Sequence, residues 1–142
     1  MYDSALDHNI SEYTTEILNA LKRYKKRASV KPFGFIYPEA EVFMEHCLKC
    51  DFCRVYDNYL VVADIGAQWW DSSTPVLFEA LVLSIGEHKK SASYVDALEH
   101  YRTISGCKYI SFGTQSLEAK ALGKVLSEHG YIPYGSFYCK EG

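Results

Sequence analysis

Apolar side chains in residues 11–27 repeat every three to four positions, the pattern of a helix with one buried face. They are Tyr13, Ile17, Leu21 and Tyr24. Ser11 precedes this pattern and is a suitable N-cap. Proline and glycine residues interrupt the next stretch, and Pro38 then suits the first turn of a second helix over about 38–50. The first third of the chain is therefore predicted to contain two helices.

Two runs rich in Val, Tyr and Leu surround Asp57-Asn58. Because Asp and Asn tolerate the positive φ of a tight turn, the pattern predicts a β-hairpin with strands over 52–56 and 59–65. Residues 66–75 are predicted to form a loop. The following run, VLFEALVLSI, is continuously apolar except for one charge, which is typical of an internal strand covered on both faces.

The remainder of the chain alternates between the helical period and short apolar runs. The expected elements are a helix over 88–105 ending at Gly106, a strand over 107–113, a helix over 116–130 ending at Gly130 and a final strand over 131–140. A strand, helix, strand order implies parallel pairing, whereas the hairpin is antiparallel, so the sheet should be mixed. The predicted fold class is α/β (or mixed α+β), with helices flanking a mixed central sheet.

A chain of 142 residues, about half of them apolar, suits one domain. We expect it to comprise an N-terminal part over 11–65 and a core over 74–140. The net charge of −3 gives no overall attraction to nucleic acid or anionic lipid. No apolar run approaches the roughly 20 residues of a membrane span, and the N-terminus lacks a signal-peptide pattern. These features predict a soluble, cytoplasmic protein with no membrane partner.

The order of elements and the ending SEHGYIPYGSFYCK resemble the GNAT (GCN5-related N-acetyltransferase) fold family. The resemblance covers most of the chain and is firmest from Thr74 onward. It extends to the short, divergent members of this family that phages encode. It implies acetyl-CoA as cofactor and transfer of an acyl group to an amine on a small molecule or a protein. A phage-encoded member would reside in the host cytoplasm or in the virion.

In the family, a glycine-containing loop after the central strand binds the coenzyme pyrophosphate with backbone N–H groups at a helix N-terminus. The corresponding residues here are His88, Lys89, Lys90, Ser91, Ala92 and Ser93. Ser91 and Ser93 occupy the two glycine positions, and the two lysines add positive charge. The strand backbone at Leu81, Val82 and Leu83 is implied to pair with the pantetheine. Alternatively, Ser91 only caps a helix and the lysines are solvated.

The resemblance also implies which catalytic groups are missing. Leu126 stands where many family members have a Tyr that protonates the departing thiolate, and Ala119 stands where they often have an Asn. Since leucine cannot donate a proton, the acid would have to be Tyr131, Tyr134 or a water molecule.

Glu79 is the single charge inside VLFEALVLSI. A carboxylate buried there would have a raised pKa, as a general base near neutral pH requires, and some family members use a Glu on this strand in that role. The alternative is a carboxylate paired with Arg or Lys. Trp69 and Trp70 lie in the loop before the strand. In the family this region borders the acceptor site, although adjacent aromatic residues could equally form a protein contact.

His46, Cys47, Cys50 and Cys53 have spacings found among zinc and iron–sulfur ligands. No second pair follows at a useful distance, and cysteine is among the most buried residue types, so core cysteines and no metal are expected.

The only dense basic run lies between Lys22 and Lys31, largely at a predicted helix C-terminus, where cations complement the helix dipole. Three functions remain open: an acyl-CoA-dependent N-acyltransferase, a catalytically degenerate GNAT-fold protein with a binding, assembly or virion role, and an unrelated module that binds nucleic acid or an acidic partner through this run. Nucleic acid is the least favoured partner, and a homo-oligomer or a complex with another protein is compatible with all three.

Overall fold

A computed structural model describes residues 7–28, 38–87, 93–113 and 119–133. Their elements in chain order are strand β1 (Asp7–Asn9), helix α1 (Thr14–Ala28), helix α2 (Ala40–Leu48), strands β2 (Phe52–Tyr56), β3 (Tyr59–Gln68) and β4 (Asp71–Ser84), helix α3 (Ser93–Ser105), strand β5 (Tyr109–Ser111) and helix α4 (Ala119–Glu128). Within these residues, the strands form one sheet in the order β1-β2-β3-β4-β5. The first four strands are antiparallel to their neighbours, and β4 pairs with β5 in parallel. The predicted mixed sheet with flanking helices is confirmed.

Helices cover both faces of the sheet. Successive side chains of β3 point to opposite faces of the sheet and so belong to two different cores. Val62 faces α1 and α2, and Val61 faces α3. The core under α1 and α2 includes Ile17, Leu21 and Leu83. Leu77 of β4 joins the α3 core instead, so β4 is covered on both faces as its apolar sequence predicted.

Local signals predicted several boundaries correctly. Asp57 and Asn58 have φ values of 47° and 57° and connect β2 to β3, as the turn pattern indicated. Gly106 and Gly130 follow α3 and α4 with positive φ, which glycine adopts without the steric cost of a Cβ atom. The N-terminal helix begins differently from its prediction: Asn9, not Ser11, is the cap, and a 3₁₀ turn at Ile10–Tyr13 precedes α1.

The predicted loop over 66–75 is wrong. The second hairpin continues to its tip at Trp69 and Trp70, because β3 extends to Gln68 and β4 begins at Asp71. The polar residues that open β4 show no apolar alternation; Asp71 pairs with Gln68 and Val76 with Gly66, and the residues between them lie in a shift of register with β3. Strand β1 was also missed, since its three residues show no strand pattern and acquire their conformation by pairing with β2.

Other predicted elements fall partly outside the described residues. Ser116, the expected cap of the last helix, lies there, as do residues 134–140 of the expected final strand. Residues 131–133 are described and have no regular secondary structure. Most of the predicted coenzyme-binding segment also falls outside the described residues, namely His88, Lys89, Lys90, Ser91 and Ala92, whereas Ser93 is the first residue of α3.

Candidate functional site

The most distinctive part of the sheet is the point where β4 and β5 separate. Their parallel pairing covers only Val76–Phe78 of β4 against Tyr109–Ser111 of β5. Strand β4 continues to Ser84 and keeps its pairing with β3 on the other edge. In the part of the chain that the structure describes, no strand pairs with residues 79–84 on the β5 side. Backbone polar groups along that edge are therefore placed to pair with an extended ligand.

A β-bulge lies at the start of this open edge. Val62 pairs with Leu81, whereas Ala63 pairs with Glu79, so Ala80 is an extra residue on β4. A bulge re-aims the side chains beside it and is common next to active sites. Here it follows Glu79 directly, at the level where β5 ends.

The Glu79 carboxylate spans the separation between the two strands. Its Oε2 atom accepts a hydrogen bond from the backbone N–H of Gly113, which follows β5, at 3.2 Å. Burial raises the pKa of Glu79 from its ordinary 4.5 to about 7, and the bond from Gly113 acts in the opposite direction. Near neutral pH the side chain is therefore divided between its protonated and ionised forms. Among the described residues, no Lys or Arg forms an ion pair with it, so the expected alternative of a paired carboxylate does not apply there.

The residues after the bulge place their side chains in the two cores and their backbone along the open edge. Leu81 and Leu83 are buried under α1 and α2, and Val82 packs partly buried against the α3 core. Their predicted role requires only the main chain, and the open edge is compatible with it.

At the far end of this edge, the described part of the predicted coenzyme segment is Ser93. Its side chain is buried and its hydroxyl donates a hydrogen bond to Asp57 Oδ2 at 2.8 Å. The hydroxyl thus bonds to the β2–β3 turn, while the helix N-terminus at this residue remains the position predicted for the pyrophosphate.

Tyr131 follows α4 and points toward α3. Its hydroxyl donates to the Glu99 carboxylate, and its ring packs edge-on against Phe112 with the centroids 5.1 Å apart. Burial and the neighbouring Glu99 raise the pKa of the Tyr131 phenol. Its role as an acid stays a prediction, and Leu126, at the family's acid position, is buried.

Trp69 and Trp70 form the tip of the β3–β4 hairpin, with 90% and 55% of their surface exposed. Their rings meet edge to face with centroids 5.4 Å apart. Glu79 pairs with Ala63 and Asp71 pairs with Gln68, so about five residues of β3 separate the tip from Glu79, which corresponds to roughly 17 Å at the rise of an extended strand. The structure does not bring this pair together with the carboxylate.

The cysteine cluster lies in and beside the core under α1 and α2. Cys47 is buried there, and Cys50 and Cys53 pack against the same core. Burial is the main cause that raises the pKa of Cys47 to about 12 and of the other two thiols to about 11. Among the described residues, no group of three His, Cys, Asp or Glu side chains is arranged to hold a metal ion.

Acidic residues at the start of α2 form ion pairs with part of the basic run. Lys25 contacts Glu39 at 2.7 Å, and Lys22 lies 4.0 Å from Glu41. These acidic partners reduce the positive charge that the helix offers to a nucleic acid backbone.

Two features of the site had no signal in the sequence. Gly113 bonds to a side chain 34 positions away, and Asp57 bonds to a serine 36 positions away. The bulge at Ala80 likewise depends on the register with β3. Each results from the packing of elements that are separate in the sequence.

No protein-family model and no curated protein matches the sequence. Among the solved structures that match the fold are two of the aminoglycoside N-acetyltransferase AAC(6')-Iy. One contains a bisubstrate analogue, CoA-S-monomethyl-acetylneamine; it is 19% identical with a TM-score of 0.52, over 87% of this chain and 93% of that one. The other contains CoA and gives the same identity, TM-score and coverage of this chain, over 90% of its own length. None of the described helices is long and apolar enough to span a membrane.

Proposed function

On the premise that the chain has the GNAT fold, as its sequence predicted and as the structural matches bear out, we propose that it is an acyl-CoA-dependent N-acyltransferase with Glu79 as general base. The observation that carries this proposal is the Glu79 carboxylate at the separation of β4 and β5. It combines a pKa of about 7 with a position beside a strand edge with which none of the described strands pairs. A base with that pKa can accept a proton from an ammonium group near neutral pH.

The open edge of β4 fits an acyl-CoA molecule. The backbone at Leu81, Val82 and Leu83 would pair with the amide groups of the pantetheine, as an added strand does. The pyrophosphate would bind at the N-terminus of α3, where main-chain N–H groups and the helix dipole favour an anion. The segment predicted for this contact runs from His88 to Ser93. This arrangement places the thioester at the level of the bulge, next to Glu79.

The proposed reaction is direct attack of the acceptor amine on the thioester carbonyl. Glu79 first accepts a proton from the ammonium form, which leaves a nucleophilic amine. A C–N bond then forms and the C–S bond breaks, which releases a thiolate and requires the nitrogen to lose a second proton as the amide forms. Since the Tyr131 hydroxyl donates to Glu99 and the Leu126 side chain has no acidic proton, we propose that a water molecule takes this second proton from the nitrogen and gives a proton to the thiolate, so that the amide and the free CoA thiol leave the site.

The distance from Glu79 to the tryptophan pair limits the size of acceptor that could contact both. A small amine at Glu79 cannot reach Trp69 or Trp70 roughly 17 Å away along the hairpin. If the pair contributes to acceptor binding, the acceptor must extend along the hairpin, as a peptide or protein amine would. A small-molecule acceptor would leave the tryptophans outside the site.

Binding of acetyl-CoA is the first test. A ligand that binds only the native state stabilises it by about 2.7 kcal/mol at one hundred times its Kd, so the melting temperature must rise. Calorimetric titration gives the Kd directly. An unchanged melting temperature at millimolar acetyl-CoA would rule the proposal out.

The second test separates binding from proton transfer. Glu79→Gln retains an oxygen that can accept the Gly113 N–H but cannot take up a proton. We expect acetyl-CoA affinity within about twofold of wild type and a kcat lowered by roughly 10²–10⁴, measured by thiol release with a panel of amines. Glu39→Gln, which changes an exposed carboxyl at the N-cap of α2, is the matched control and should leave kcat unchanged. Full activity in Glu79→Gln would remove Glu79 as the base.

A catalytically degenerate GNAT-fold protein with a binding or assembly role is the second proposal. Two observations favour it: a buried Leu126 at the acid position and a Ser93 hydroxyl bonded to Asp57 at a glycine position. A homogeneous oligomer or a stable protein complex, without coenzyme binding, would support this function over the enzymatic one.

A further inference from the structure

The turn between β2 and β3 contacts the end of β4. The main-chain oxygen of Asn58 accepts a hydrogen bond from Ile85 N at 2.9 Å. The side-chain amide of Asn58 donates to the main-chain oxygen of Glu87. A Cβ atom at Gly86 would lie 3.4 Å from the Asn58 amide nitrogen, so the chain passes close over the turn. Asn58 therefore holds the three residues that follow β4.

The same turn contacts the beginning of α3. Asp57 Oδ2 accepts the hydroxyl of Ser93 at 2.8 Å, and Ser93 is 1% exposed. Ser93 is the first residue of the helix. One two-residue turn thus holds both the exit from β4 and the entrance to α3.

A tight turn of this kind does not itself require these side chains. Both residues have positive φ, a conformation that glycine satisfies at least as well. The carboxylate and the amide are instead used in contacts with segments about 30 residues further along the chain. Their chemistry therefore serves the relative placement of β4 and α3.

We propose that Asp57 and Asn58 are positioning residues for coenzyme binding, because they fix the first turn of α3 relative to the end of β4. The inference rests on the proposed function, in which the pantetheine pairs with β4 while the pyrophosphate lies at the N-terminus of α3. A ligand that contacts both elements binds more tightly when they are already held at the correct separation, because binding then does not have to order them. The two residues act through Glu87 and Ser93 and need not touch the coenzyme.

Two variants of the full chain test the proposal. Asn58→Gly leaves an Asp-Gly pair, which suits the turn, and removes the amide. Ser93→Ala removes the hydroxyl that bonds to Asp57. Ser73→Ala is the matched control, since that serine hydroxyl also donates to an aspartate, at 2.7 Å, at the opposite end of β4. Melting temperatures confirm that each variant folds.

We expect the Kd for CoA, measured by calorimetry, to rise about tenfold in Asn58→Gly and in Ser93→Ala, which corresponds to about 1.4 kcal/mol. The KM for acetyl-CoA should rise by a similar factor while kcat stays within about threefold. A general loss of structure would lower kcat as well. Ser73→Ala should match wild type in both quantities.

Hydrogen exchange tests the anchoring without any ligand. Amides of residues 94–98 should exchange about tenfold faster in Asn58→Gly and Ser93→Ala than in wild type or in Ser73→Ala. If wild type binds no CoA, the proposed function fails, and the exchange rates alone decide whether the turn anchors α3. Unchanged exchange in both variants overturns the inference, as does wild-type CoA binding that both variants retain within twofold.

Discussion

The raised pKa of Glu79 makes a measurable prediction about stability. Burial moves this pKa from 4.5 to about 7 in the folded chain. The folded state therefore holds the proton more tightly than the unfolded state between these two pH values. Stability from this group is fully present below pH 4.5 and is lost as pH rises through 7. The difference between the two pKa values corresponds to about 3 kcal/mol.

Glu79→Gln isolates this effect, because glutamine does not titrate while all other groups cancel in the comparison. The free energy of unfolding of the variant minus that of wild type should increase by about 3 kcal/mol between pH 4.5 and pH 8.5. Urea denaturation at intervals of one pH unit measures the difference, with tyrosine and tryptophan fluorescence as the signal. The constant offset between the two proteins reflects the Gly113 hydrogen bond and carries no pH dependence.

Glu39→Gln is the control for this experiment. Lys25 lowers the pKa of the exposed Glu39 carboxyl below its usual value, first through a hydrogen bond and then through its charge. Glu39 is therefore ionised throughout the range from pH 5.5 to 8.5, and its variant should differ from wild type by a constant amount there. A pH-independent difference for Glu79→Gln, or one that decreases with pH, would refute both the raised pKa and the assignment of Glu79 as base.

Three further predictions concern residues other than the proposed base, Glu79. Tyr131→Phe should lower the free energy of unfolding by about 1–2 kcal/mol through loss of its bond to Glu99, with kcat within about threefold; a hundredfold loss of kcat would instead identify Tyr131 as the acid. Trp69→Ala should change stability by less than about 0.5 kcal/mol in urea denaturation, because its side chain is exposed, and a larger change would mean that the ring packs in solution. Native Cys47 should resist iodoacetamide at pH 8 by mass spectrometry, since its thiol has a pKa of about 12, and labelling as rapid as in urea would contradict its burial.

Much of the fold could be predicted because its signals are local. The helical period of α1, the residue types of the Asp57-Asn58 turn and the glycines after α3 and α4 act within a few residues, and the structure confirms all of them. The unbroken apolar run of β4 also indicated a strand covered on both faces, since only such a strand buries every side chain. The single charge in that run drew attention to Glu79 before any contact was known.

The tertiary structure decided what these elements do together. Strand β1 has no strand pattern of its own and is held by pairing with β2, and at the polar start of β4 Asp71 is held by pairing with Gln68. The separation of β4 from β5 and the bulge at Ala80 depend on register between strands, which a sequence does not display. The contacts of Glu79 with Gly113 and of Asp57 with Ser93 join residues more than 30 positions apart. Sequence alone therefore predicted the scaffold and drew attention to Glu79, whereas burial and long-range packing gave that residue its raised pKa and its place beside an open strand edge.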